Sequence, residues 1–125
     1  MSNAKRVSLA VLLLMSVVAM PVAAGAQDFR PLKGSYALYS RELGDPGPPT
    51  RGDAKLALSL TGPLAKQLFT HLGAAATVHV ECSEDDGVTR TRGALSCTRD
   101  KTGETHCALG FDIAKGKAIA GEVDC

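Results

Sequence analysis

In AKLALSL (54–60), Leu56, Leu58 and Leu60 alternate with Lys55, Ala57 and Ser59. A period of two predicts a half-buried strand. The next residues, TGPLAKQLFTHLG, change period. Leu64, Leu68 and Leu72 recur at i, i+4 and i+8, flanked by Ala65 and Phe69, which predicts a helix of about three turns with one apolar stripe. Thr61 or Gly62 can cap it, Pro63 suits its first turn, and Gly73 suits its C-terminal stop. TVHVEC (77–82) alternates again, with Val78, Val80 and Cys82 on one face.

SYALYS (35–40) follows an irregular lead-in at 27–34 and reads as a short strand. Residues 89–98 and 105–113 read as two more, and the tail turns at KGK (115–117) and can add another. RELGDPGPPTRGD (41–53) reads as a mobile loop with few ladder bonds, because Pro46, Pro48 and Pro49 fix φ and remove donors. The pattern predicts an α+β domain: a small antiparallel sheet of four to five strands with one helix packed on one face. Its expected core is Leu56, Leu58, Leu60, Leu64, Leu68, Leu72, Val78, Val80, Leu95, Leu109, Phe111 and Ile113.

A register follows from two turn positions. A turn near 85–86 sets Glu81 opposite Arg90, His79 opposite Arg92, Val80 opposite Thr91 and Val78 opposite Gly93. A turn at Thr102 sets Arg92 opposite Asp112, Gly93 opposite Phe111, Leu95 opposite Leu109 and Cys97 opposite Cys107. Opposite charges then share one face and apolar residues the other, as cross-strand pairing favours. On the charged, outward face a strip of small residues appears, with Ala94 beside Gly110 and Ser96 beside Ala108. Either the N-terminal segment with Tyr36 and Tyr39 packs on this strip, or a partner does.

The first residues change the picture of where the domain resides. MSNAKR precedes the apolar run VSLAVLLLMSVVAM, then Pro21 and the Ala24-Gly25-Ala26 triplet. A basic start, an apolar run and an A-x-A site describe a signal peptide over 1–26, with Gln27–Cys125 as a single exported domain. An uncleaved anchor is the rival, but the run is short and Pro21 interrupts it. Removing Lys5 and Arg6 turns the net charge from +1 to −1, so no long-range pull on nucleic acid or anionic lipid is expected. Trp is absent and there are only three Phe and two Tyr, so the core is modest and a covalent staple would help.

Cys82, Cys97, Cys107 and Cys125 supply it. An even count in a short exported chain reads as disulfides, and no close C-x₂₋₄-C pair suggests zinc. The register gives Cys97–Cys107, which leaves Cys82–Cys125. Catalytic chemistry is not evident. His71, His79 and His106 are dispersed, with no G-x-S-x-G turn and no H-E-x-x-H pair. Glu84, Asp85 and Asp86 fit a hydrophilic turn better than a calcium loop. Arg90 and Arg92 lack the aromatic platforms of single-strand binders. Arg51-Gly52-Asp53 spells an adhesion tripeptide, although Gly-Asp is ordinary turn chemistry.

No cofactor or metal is implied. The expectation is a small non-enzymatic protein-binding module of the bacterial envelope, periplasmic or secreted, such as an inhibitor or toxin-neutralising protein. The candidate partner-binding residues are Ala94, Ser96, Ala108, Gly110, Arg51 and Asp53. The alternatives are an accessory or structural envelope protein and a small secreted hydrolase. The partner is expected to be a protein, with neither nucleic acid nor, after signal cleavage, membrane involved.

Overall fold

The computed structural model describes residues 28–79 and 87–122. The strands are β1 (Lys33–Glu42), β2 (Asp45–Gly47), β3 (Lys55–Thr61), β4 (Thr77–Val78), β5 (Val88–Arg92), β6 (Leu95–Arg99), β7 (Thr105–Asp112) and β8 (Lys117–Ile119). One α-helix, α1 (Gly62–Leu72), follows β3, and a short 3-10 turn at Ala74–Ala76 follows the helix. The fold is α+β, and every strand pair is antiparallel. The sheet order is β2-β1-β3-β7-β6-β5-β4, with β8 also paired to β7.

Eight strands among the described residues exceed the four or five that the alternation predicts, for two physical reasons. The 41–53 stretch is not a free loop, since Ser40, Arg41 and Glu42 pair with Gly47, Pro46 and Asp45. Pro is tolerated in an edge strand where no ladder donor is needed. Residues 89–98 are not one strand but the β5–β6 hairpin, turning at Gly93-Ala94 between Arg92 and Leu95. Gly93 has φ 58°, and glycine is favoured at the first central position of such a two-residue turn.

That turn overturns half of the expected register. Arg92 lies opposite Leu95, and Gly110 lies opposite Ile119 rather than Ala94. Thr77 and Val78 pair with Arg90 and Thr89, so neither His79 opposite Arg92 nor Val78 opposite Gly93 survives. The expected partners Glu81 and Val80 lie outside the described residues. Of the β6–β7 half, Cys97 opposite Cys107 and Ser96 beside Ala108 stand, whereas Phe111 and Asp112 lie opposite Ala118 and Lys117 of β8 rather than Gly93 and Arg92. Asp100 fixes this hairpin locally: its Oδ1 accepts from the Thr102 backbone N–H at 2.8 Å, the Thr102 hydroxyl at 2.6 Å and the Glu104 N–H at 3.0 Å.

A disulfide joins Cys97 to Cys107. The expected Cys82–Cys125 bond and the expected 1–26 leader lie outside the described residues. No described helix is long and apolar enough to cross a membrane.

The helix forms where the sequence predicts, with Pro63 in its first turn and Gly73 ending it at φ 76°. Its rotation differs from the leucine stripe. Ala65, Phe69 and Leu72 face the sheet, while Leu64 and Leu68 pack at the flanks, partly buried. Leu60, Ala65, Phe69, Leu72, Ala76, Cys97 and Cys107 form the core, with Leu95 beside them. Val78, Phe111 and Ile113 were expected inside and are exposed; Leu56, Leu58 and Leu109 are half-buried. An 11-residue helix is only about 16 Å long. It covers the end of the sheet around Leu60 and Cys107, and among the described residues no second helix covers the far end.

Candidate functional site

The arginines of β5 and β6 belong to the core of the fold. Directly paired residues share a face, and Arg90 pairs with Cys97, so Arg90 points toward α1 and not outward. Arg90 Nη1 donates to the Phe69 carbonyl at 2.9 Å, and Arg92 Nη2 to the Leu72 carbonyl at 3.4 Å. These are end-of-helix carbonyls with no helical donor of their own, at the negative pole of the helix dipole. The guanidinium carbons of Arg90 and Arg99 lie 4.1 and 4.2 Å from the centroid of the Phe69 ring. Both guanidiniums therefore pack against this one ring. Arg90 Nε is buried without a hydrogen-bond partner among the described residues.

The side of the sheet away from α1 carries the expected strip. One row runs Ser35, Ser59, Ala108, Ser96 and Thr91 across five strands. Hydroxyl pairs tie part of this side together: Thr89 to Thr98 at 2.8 Å and Thr91 to Ser96 at 3.4 Å. Ala94 is in the β5–β6 turn and does not join the row. Gly110 is closed by the chain itself. A Cβ on Gly110 would come 2.6 Å from the Ala120 carbonyl oxygen, and one on Gly121 would run into the Leu109 backbone. After β8 the chain thus folds back across β7 through two glycines. Tyr39 is buried on this same side, opposite Lys55, whereas Tyr36 faces the helix side with Leu58. Gly110→Val should therefore destabilise by about 1–3 kcal/mol through overpacking. Urea unfolding measures this, and an unchanged midpoint would mean that the tail does not pack there.

Arg51 and Asp53 sit in a bend and do not join the strip. Lys55, two residues on, lies four strand positions from Ser59, about 13 Å along β3. Asp53 is already engaged. Its Oδ2 accepts from the Arg41 N–H at 2.7 Å and its Oδ1 from Lys55 Nζ at 2.6 Å. The Lys55 hydrogen bond, then the Arg41 N–H, holds the Asp53 carboxyl below its ordinary pKa, and Asp53 raises that of Lys55. Asp100 is lowered too, first by the Thr102 hydroxyl.

Depressed carboxylates add stability above their unfolded pKa and lose it as pH falls through the folded one. Unfolding free energy should accordingly fall as the pH drops below the ordinary aspartate pKa of about 4. Asp53→Asn and Asp100→Asn should each flatten that slope in acid-titrated urea unfolding. A slope unchanged in both variants contradicts the assignment.

A cleft of about 510 Å³ lies beside this pair, lined by Tyr39, Glu42, Lys55, Asp112, Lys117 and Glu122 among others. Several of its charges neutralise one another. The buried Asp112 accepts the Lys115 N–H at 3.0 Å and lies 3.7 Å from Lys115 Nζ, and Lys117 lies opposite Asp112 on β8. His71 on α1, His106 on β7 and His79 just past β4 are exposed and do not share an element. Among the described residues no three His, Cys, Asp or Glu side chains are placed to hold a metal ion.

The surface that sequence reasoning missed is on the helix side, beyond the reach of α1. Tyr36 and Leu38 of β1 pair with Leu58 and Leu56 of β3, which pair in turn with Leu109 and Phe111 of β7. Tyr36 is 73% exposed, Leu38 50% and Phe111 41%. The signal was present as a mismatch of lengths: three strands with apolar residues at alternate positions, and one short helix to cover them. Comparison of the chain with protein families, characterised proteins and solved structures finds no match.

Proposed function

We propose that this is an exported, non-enzymatic protein-binding module of the bacterial envelope, acting by holding or blocking another protein. The observation that carries the reading is the uncovered apolar half-face of Tyr36, Leu38, Leu56, Leu58, Leu109 and Phe111. Contiguous exposed apolar surface is unusual on a soluble monomer and marks interaction sites. Tyr36 and Phe111 stand at opposite corners of the face with leucines between them, and aromatic residues are enriched where proteins meet. The Cys97–Cys107 disulfide accords with an oxidising compartment. This face replaces the small-residue strip as the proposed contact surface, because the chain's own tail occupies the strip at Gly110.

The test is capture from envelope extract by immobilised wild-type protein alongside Phe111→Lys and Leu38→Lys. Both residues are exposed, so both variants should keep the wild-type melting curve. A protein held by the wild type and released by both variants supports the reading. Equal retention by all three, or no retained protein at all, sinks it.

A further inference from the structure

Independently of any such partner, we infer that β1 joins a second copy of this chain edge to edge, antiparallel, about a two-fold axis at Tyr36. One edge of β1 is occupied by β3 from Lys33 to Tyr39; the other is occupied by β2 only from Ser40 to Glu42. The direction of the free peptide groups follows from the Ile113 N–H, which donates to the Ala54 carbonyl at 2.9 Å. By alternation Leu56, Leu58 and Leu60 also bond β7, which leaves Lys55, Ala57 and Ser59 to bond Tyr39, Ala37 and Ser35 of β1. Peptide groups along an antiparallel strand alternate between its two edges. Gly34, Tyr36 and Leu38 therefore aim their N–H and C=O groups at the open edge, and all three residues are exposed.

The three are spaced symmetrically about Tyr36. A second β1 turned end for end sets Tyr36 against Tyr36, and Gly34 against Leu38 twice over. All of the free donors and acceptors of this stretch are then paired. Gly34 has no side chain to obstruct Leu38, and β3 independently requires glycine there, since a Cβ would run into the Ser59 carbonyl. An axis at Ala37 would oppose Lys33 to Arg41, a like-charge pair that destabilises a sheet. It would also need the peptide groups of Ser40, which β2 already uses.

Edges that must stay single carry charges or bulges; the run GSYAL (34–38) carries neither. Nor do the described residues obstruct the joint. Residues 28–32 are outside the sheet, beside Pro63, Leu64 and Gln67 of α1, so they turn away where β2 of the other copy begins. The isologous joint places the two uncovered half-faces side by side as one apolar floor.

Sedimentation of the exported chain should show a monomer–dimer equilibrium, and Tyr36→Lys should weaken dimerisation by at least ~10-fold. Ser35 faces Ala37 of the second copy in a non-hydrogen-bonded pair, where side chains approach most closely. Mild oxidation of the double variant Ser35→Cys with Ala37→Cys should therefore give a covalent dimer, and neither single variant should. A chain that stays monomeric up to ~1 mM, far above the Kd of specific dimers, overturns the joint. Cross-linking by Ala37→Cys alone overturns the axis.

Discussion

Replacing Phe69 with alanine should cost about 3–5 kcal/mol, the largest single side-chain effect in the domain. The ring is 1% exposed at the centre of the core, and no neighbouring element is free to collapse into its place. It also gives Arg90 and Arg99 their packing surface. Removing it leaves two part-buried guanidiniums stacked on nothing, so the loss should exceed that of the flanking Leu64 or Leu68. Urea unfolding of Phe69→Ala, Phe69→Leu and Leu68→Ala separates the contributions. Leucine restores most of the volume but no π-face, so a Phe69→Leu loss beyond that of an ordinary core Phe-to-Leu change measures the arginine–ring contacts. A Phe69→Ala loss no greater than that of Leu68→Ala would place the core elsewhere.

Replacing Cys97 and Cys107 together with alanine should cost about 3 kcal/mol from loop closure alone, on a sequence separation of 10. Both sulfurs are fully buried, and Cys107 Sγ rests 3.5 Å from the Ala65 carbonyl oxygen. That is a packing contact, since an oxidised sulfur has no proton to donate. The double variant therefore loses helix-to-sheet contact as well as the cross-link. Denaturant midpoints of the double variant and of the wild type measure the sum. Equal midpoints would show that the β6–β7 register holds without the bond.

What the sequence disclosed and what it hid divide along the range of the interactions. The β6–β7 register was legible because Asp100, Thr102 and Gly103 build its turn within a few residues. So was the extent of α1, whose Pro63 and Gly73 act locally. Arg90 and Arg92 misled because two charged residues in an alternating strand read as a solvated face. Their destination is a set of carbonyls some twenty residues earlier in the chain, which no local pattern records. Reading their face outward concealed the Gly93-Ala94 turn, and with it the β5–β6 hairpin.

The small-residue strip was partly legible, because Ser96 and Ala108 do lie side by side. Its occupant at Gly110 was not, since the tail returns from β8 by a path that depends on Gly121. The uncovered face was hidden for a further reason. Leu56, Leu58, Leu109 and Phe111 were assigned to the core from alternation, which says which side a residue takes but not whether anything lies above it.

β7 is the middle of this sheet, and of the described strands only β8 follows it in sequence. It holds β3 on one edge and both β6 and β8 on the other. Until Thr105–Asp112 has been made, β3 and β6 each lack the sheet partner between them, and only α1 links the two halves. β3 must then find a partner about fifty residues away, the kind of long-range closure that makes folding slow. Strands β1–β3 and β4–β6 can close into one sheet only after β7 has been made. The order of synthesis itself delays folding.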